Sequence, residues 1–98
     1  MRYEVIFSAT ADADFDSILH HIAADNPSRA ISFVDELRKR AVDFLSIMPR
    51  GGTAVGNHRY MAAGNYVVVY LVDEDAGVVT VAMVTEGHRN WRAMFDGE

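Results

Sequence analysis

Residues 66–72 form an almost continuous apolar run, Tyr66-Val67-Val68-Val69-Tyr70-Leu71-Val72. Valine and tyrosine favour β-structure, and a strand that is apolar on both faces is typical of the centre of a covered sheet. The turn-forming loop 73–77 follows, and residues 78–84 form a second apolar run. The two runs therefore predict a β-hairpin whose first strand is central.

Two further strands are predicted on the N-terminal side of this hairpin. Residues 58–61 form a short candidate strand, joined to the central strand by a turn over residues 62–65. At the start of the chain, apolar Tyr3, Val5 and Phe7 recur at every second position, as in a strand over residues 3–8.

The residues between these strands have helical periodicity. Thr10 can cap a first helix, whose apolar stripe is Ala11, Phe15, Ile18 and Ile22. Asn26-Pro27 ends that helix and opens a second over residues 27–47, before Pro49 and two glycines. The order β-α-α-β-β-β predicts one α+β domain over residues 1–98, with a helical hairpin packed on a small antiparallel sheet.

Composition narrows the possible functions. The chain has 98 residues, no cysteine and a net charge of −5. Disulfides, thiol nucleophiles and the common zinc sites are excluded, and no cofactor or metal site is expected. No signal peptide or membrane-length apolar run is visible, so we expect a cytoplasmic protein without membrane contact. The acidic balance disfavours strong direct binding of nucleic acid.

The order of these elements, with the following motifs, resembles the ParE/RelE toxin superfamily of type II toxin–antitoxin systems. The motifs are Phe7-Ser8-Ala9-Thr10-Ala11 before Asp14 and Ile18, Asn26-Pro27 before Ala30 and Phe33, Leu45 before Pro49 and Gly51, Arg59 ahead of residues 66–70, and the final Val84-Thr85-Glu86-Gly87-His88-Arg89-Asn90-Trp91. The Asn-Pro turn, the Gly-His-Arg segment and the following Trp91 are more similar to the ParE branch.

The resemblance to ParE implies a toxin that poisons DNA gyrase by binding it. It also implies a cognate ParD-like antitoxin, with a DNA-binding N-terminal domain and a C-terminal segment that neutralises the toxin. Arginine and aromatic side chains are typical interface anchors. The residues expected to bind target or antitoxin are Arg59, Tyr66, His88, Arg89, Trp91, Arg92 and Phe95.

The RelE branch cuts messenger RNA without a metal, and this chain departs from its pattern. Aligned without gaps, Val67 stands where RelE has an arginine, and His58 and Tyr60 stand where it has two lysines. Phe95 replaces a late tyrosine, and Arg89 alone matches. Since only one element of the RelE pattern is kept, the resemblance argues against a RelE-like nuclease and favours an inhibitor that is not an enzyme.

Two alternatives to gyrase poisoning stay open at the level of sequence. Histidine titrates near neutral pH and arginine binds phosphate, so His58, Arg59, His88 and Arg89 could form a different metal-independent endoribonuclease site. Alternatively, toxicity has decayed and the chain is only an antitoxin-binding module.

Overall fold

The chain forms two long helices and five strands in a computed structural model that describes residues 2–98. The α+β class, the helical hairpin and the β-hairpin are as predicted. A short 3₁₀ turn, Arg92–Met94, lies in the C-terminal segment, by which we mean residues 87–98. The elements in chain order are β1 (Glu4–Phe7), α1 (Ala9–Ala23), α2 (Pro27–Ile47), β2 (Thr53–Val55), β3 (His58–Ala63), β4 (Tyr66–Asp73) and β5 (Val78–Glu86).

The strands form one sheet in the order β1-β5-β4-β3-β2. Strands β3, β4 and β5 pair antiparallel, as predicted, and β2 also pairs antiparallel with β3. The prediction of a wholly antiparallel sheet was wrong, because β1 runs parallel to β5 and the sheet is mixed. Tight reversals join β2 to β5 and force alternate directions, whereas the helices between β1 and the rest permit a parallel pairing. Strand β2 was not predicted, because three residues are too few to show a period.

The helix boundaries follow from side-chain caps. Helix α2 begins at Pro27, and the side chain of Asn26 accepts a hydrogen bond from the Arg29 N–H, as its sequence predicts. Helix α1 begins earlier than predicted, because Ser8 and not Thr10 is the cap. Ser8 is extended, and its hydroxyl accepts from the Ala11 N–H at 3.0 Å.

One face of the sheet, here called the inner face, packs against both helices. Its core joins side chains from α1 and α2 to those of β4 and β5. Tyr70 and Phe15 are the largest side chains buried completely there. This core contains Ala11, Phe15, Ile18, Val34, Leu37, Ala41, Leu45, Ala63, Val68, Tyr70, Val79, Val81 and Val84.

The opposite face, here called the outer face, has a smaller core. Val55, Val67 and Val69 pack there with Trp91 and Phe95 from the C-terminal segment. Residues 67–70 of strand β4 are therefore covered on both faces, as the continuous apolar sequence predicts, whereas Leu71 is exposed on the outer face. Among residues 2–98, no helix is long and apolar enough to cross a membrane.

Candidate functional site

The C-terminal segment crosses the outer face of the sheet and is held there by two aromatic anchors. Trp91 is 3 % exposed, and its ring lies edge-on to Tyr60 with the centroids 4.8 Å apart. Phe95 is 8 % exposed and packs 4.6 Å from the imidazole of His58. Both residues were candidates for direct binding of a partner, and both lie inside the folded chain.

A polar contact fixes the far end of the segment. One carboxylate oxygen of Glu98 lies 2.6 Å from Nδ1 of His58 and accepts from the Asn57 N–H at 3.0 Å. The hydrogen bond with His58 is the main cause that lowers the pKa of Glu98 below its ordinary value. At Gly56, a Cβ atom would lie 2.0 Å from the Phe95 carbonyl oxygen, so the β2–β3 turn admits the segment only without a side chain.

Arg92 and Met94 form the outward surface of the segment. The guanidinium of Arg92 donates to the Tyr60 hydroxyl at 2.9 Å and lies 4.8–4.9 Å from the ring centroids of Tyr60 and Trp91. Met94 is 66 % exposed. Since stacking on the rings holds the guanidinium in one position, a partner would meet a preorganised cation beside an apolar side chain.

Arg59 lies on the inner face of the sheet, opposite to the C-terminal segment. It pairs with Tyr70 across the strands, and Tyr70 belongs to the inner core. Its guanidinium donates to the Gly52 carbonyl at 2.9 Å, and the Gly52 N–H donates to the Tyr70 hydroxyl at 3.0 Å. Burial raises the pKa of Tyr70. In the free chain, Arg59 therefore ties the loop after α2 to the sheet.

Tyr66, His88 and Arg89 meet at the other end of the sheet, around Glu86. Tyr66 pairs with Glu86 across β4 and β5, and burial raises the pKa of its phenol. Arg89 and His88 approach the Glu86 carboxylate at 3.4 and 3.5 Å. Both side chains are mostly exposed, so these contacts contribute little to stability and leave His88 and Arg89 open to a partner.

Asp14 also lines this end of the sheet, in a cavity of about 420 Å³ shared with Tyr66 and Arg89. Its carboxylate accepts from the Val84 N–H at 2.9 Å, and burial is the main cause that raises its pKa. Asp14 belongs to one of the sequence motifs named above, but this contact was not predicted. Nothing in the local pattern indicates a partner seventy residues away.

The four residues of the hypothetical ribonuclease set lie apart. His58 contacts the outer core while Arg59 faces the inner side, because neighbouring strand residues point to opposite faces. His88 and Arg89 contact Glu86, which is level with Tyr66, whereas Arg59 is level with Tyr70. Four residues of strand separate these levels, or about 13 Å. Within residues 2–98, no cluster of three or more His, Asp or Glu side chains could hold a metal ion.

A largely apolar groove of about 640 Å³ lies between the end of α2 and strand β3. Ile47 and Met48 on its rim are 59 % and 54 % exposed, and Phe44 and Met61 also line it. Arg40 and Asp43 place one charge of each sign beside it. The groove has the form that accepts the apolar face of a partner helix.

Comparison with solved structures finds the same fold in toxins of toxin–antitoxin systems. The chain matches a chain of the chromosomal ParDE system from P. aeruginosa with a TM-score of 0.75 at 14 % identity, covering 87 % of this chain and 96 % of that one. It matches the RelBE2 toxin–antitoxin complex of Mycobacterium tuberculosis with a TM-score of 0.70 at 22 % identity, over 88 % and 99 % of the two chains. It matches a mutant of the E. coli toxin RelE in the free state with a TM-score of 0.69 at 16 % identity, covering 99 % of this chain and 96 % of that one.

These identities establish the fold alone, and no curated protein matches the sequence significantly. The family comparison goes further. The model described as "ParE toxin of type II toxin-antitoxin system, parDE" matches residues 5–91, from β1 through Trp91, the first anchor of the C-terminal segment. Sequence and fold thus agree that the chain belongs to the ParE toxin family, within the ParE/RelE superfamily of type II toxins.

Proposed function

We propose that this toxin arrests growth by binding DNA gyrase and not by cutting RNA. The observation that carries the proposal is the C-terminal segment, in which Trp91 and Phe95 are buried while Arg92 and Met94 face outward. Such an arrangement suits recognition, because the anchors fix the backbone and the exposed residues remain free to contact a partner. Arg89, at the start of the segment, adds an exposed guanidinium beside Glu86 at the far end of β5, next to exposed His88.

The dispersion of the histidines and arginines supports binding over catalysis. Cleavage of RNA at the 2′-hydroxyl needs a base, a phosphate-stabilising cation and an acid around one phosphate. His58 is engaged by Glu98, and Arg59 faces the other side of the sheet. Membership of the ParE family is the ground for gyrase as the target.

The proposal includes a ParD-like antitoxin with a DNA-binding N-terminal domain. The structural relatives include toxin–antitoxin complexes, and the apolar groove between α2 and β3 suits an amphipathic antitoxin helix. The antitoxin would bind and neutralise the toxin in the cytoplasm, which is also where gyrase works.

Supercoiling by purified gyrase, in the presence of increasing amounts of the toxin, tests the proposal. We expect inhibition by the native chain and weaker inhibition by the Arg89→Ala and Arg92→Ala variants. Arg50→Ala is the matched control, because Arg50 is exposed and pairs with Glu74 in the β4–β5 loop, at the opposite end of β5 from Glu86. Unchanged supercoiling at large toxin excess would reject gyrase as the target.

The same samples incubated with messenger RNA separate the two mechanisms. We expect intact RNA at toxin concentrations that inhibit gyrase. Cleavage by the native toxin that disappears in His88→Ala or Arg89→Ala would support a ribonuclease instead.

A further inference from the structure

The C-terminal segment covers only part of the outer face of the sheet. Its anchors lie over Val67 and Val69, in the half built from β2, β3 and β4. The other half, here called the open half, consists of the outward side chains Ile6, Leu71, Val78 and Thr80. Ile6 and Leu71 are 43 % and 40 % exposed.

Strand register arranges these side chains in a row. Thr80 is the partner of Ile6 on one side and of Leu71 on the other, so the three lie level across β1, β5 and β4. The row is two strand spacings wide, about 10 Å. That width matches the diameter of one α-helix.

The rim of the open half is acidic. The next level of the sheet pairs Val78 with Glu4 and Asp73, both exposed, and exposed Asp75 follows in the β4–β5 loop. Glu74 of that loop is engaged by Arg50, whereas Glu4 and Asp75 have no ion pair within residues 2–98. An apolar row beside free carboxylates complements an aliphatic surface flanked by cations.

We propose that the open half binds a basic amphipathic helix of a partner protein. The helix would place aliphatic side chains on Ile6 and Leu71, and its lysines or arginines beside Glu4, Asp73 and Asp75. Burying two aliphatic side chains supplies affinity, and the carboxylates supply orientation and association rate. This surface lies apart from the cations of the C-terminal segment and from the groove between α2 and β3, so it goes beyond the proposed contact with gyrase.

The test is a titration of the isotope-labelled chain with a synthetic helical peptide, followed by NMR. The probe has a leucine face flanked by lysines, and the matched control peptide carries glutamate in place of each lysine. We expect shift changes at Ile6, Leu71 and Thr80 with the lysine peptide only. Binding should weaken severalfold between roughly 0.05 and 0.5 M NaCl, because the attraction is partly between exposed charges.

Substitutions separate the apolar and the electrostatic contributions. We expect about tenfold weaker binding for Leu71→Ser, and about threefold for Glu4→Gln or Asp73→Asn. Asparagine keeps the side-chain oxygen that accepts from the Ala76 N–H, so the loop should stay folded. Ile31→Ser on α2, where Ile31 is 62 % exposed, should leave binding unchanged.

Three results would overturn the proposal. The first is equal binding of both peptides, and the second is shift changes centred on Ile47 and Met48 in the groove. The third is dimerisation of the chain alone that Leu71→Ser abolishes in sedimentation experiments, because the open half would then be the surface for a second copy.

Discussion

The two faces of the sheet are covered in different ways. The inner face is covered by two long helices, with core contacts from α1, α2 and four strands. The outer face is covered over half its width by one short segment, which relies on Trp91 and Phe95. The difference indicates that the inner face provides most of the stability, while the outer cover can be altered without loss of the fold. This difference is why we propose the C-terminal segment as the target-binding surface.

The largest expected effect comes from breaking the inner core. Phe15 is 1 % exposed and packs edge-on to Phe7 at 5.6 Å. Phe15→Ala should lower the free energy of unfolding by about 3–5 kcal/mol, through lost burial and a cavity. Chemical denaturation followed by circular dichroism measures the change. Met94→Ala, at a residue that is 66 % exposed, should change it by under about 0.5 kcal/mol.

Removal of the outer anchor should cost less and act locally. Trp91→Ala should lower the free energy of unfolding by about 2–3 kcal/mol, below the usual cost for a buried tryptophan, since the segment can detach while the inner core stays folded. Hydrogen exchange should show lost protection in β3 and residues 87–98, with α1 and α2 unchanged. Equal loss of protection in the helices would show that the C-terminal segment does not detach independently of the inner core.

The loop after α2 packs closely against β3 and β4, and Gly52 tests this packing. A Cβ atom at Gly52 would lie 2.4 Å from the Tyr70 hydroxyl oxygen and 2.5 Å from the Tyr60 carbonyl oxygen. Gly52→Ala should therefore destabilise the chain by about 1–2 kcal/mol, as the backbone shifts to relieve the overlap. Gly97→Ala is the control, because nothing lies within 4 Å of its added Cβ. A similar melting temperature for both variants would contradict the geometry.

The smallest expected effect is a pH dependence of the contact that holds the end of the C-terminal segment. The pKa of Glu98 is lowered in the folded chain, chiefly by the hydrogen bond with His58. The contribution of this carboxylate to stability is therefore present above its ordinary pKa of 4.5 and is lost as the pH falls below that value. Hydrogen exchange of residues 95–98 should increase below that pH in the native chain. In Glu98→Gln this pH dependence should disappear, and persistence of the same dependence would assign it to another group.

The sequence predicted secondary structure correctly where the apolar pattern is long or the helix cap is specific. The apolar run 66–72 identified the central strand, and Asn26-Pro27 with a regular apolar stripe gave the bounds of α2. Strand β2 is three residues long and carries no period. The parallel pairing of β1 depends on the path of the helices, which no local pattern describes.

The site was less predictable, because its contacts join residues distant in sequence. The pairing of Glu98 with His58 spans forty residues, and the burial of Trp91 depends on Tyr60. The residue types suggested an interface, but they gave no indication that Arg59 faces the inner side or that Trp91 and Phe95 serve as internal anchors. Side-chain direction depends on strand register, which becomes visible only in the structure.

The most direct test of the account is induction of the native toxin and of an Arg89→Ala/Arg92→Ala variant in a bacterial host without antitoxin. Growth, messenger-RNA integrity and the DNA-damage response are read from the same cultures, and soluble toxin is quantified in each. The account predicts arrest with intact RNA and a damage response for the native toxin, and reduced arrest for the variant at equal soluble level. Rapid RNA cleavage without a damage response would contradict it, and normal growth with soluble native toxin would instead indicate a chain that has lost its toxicity.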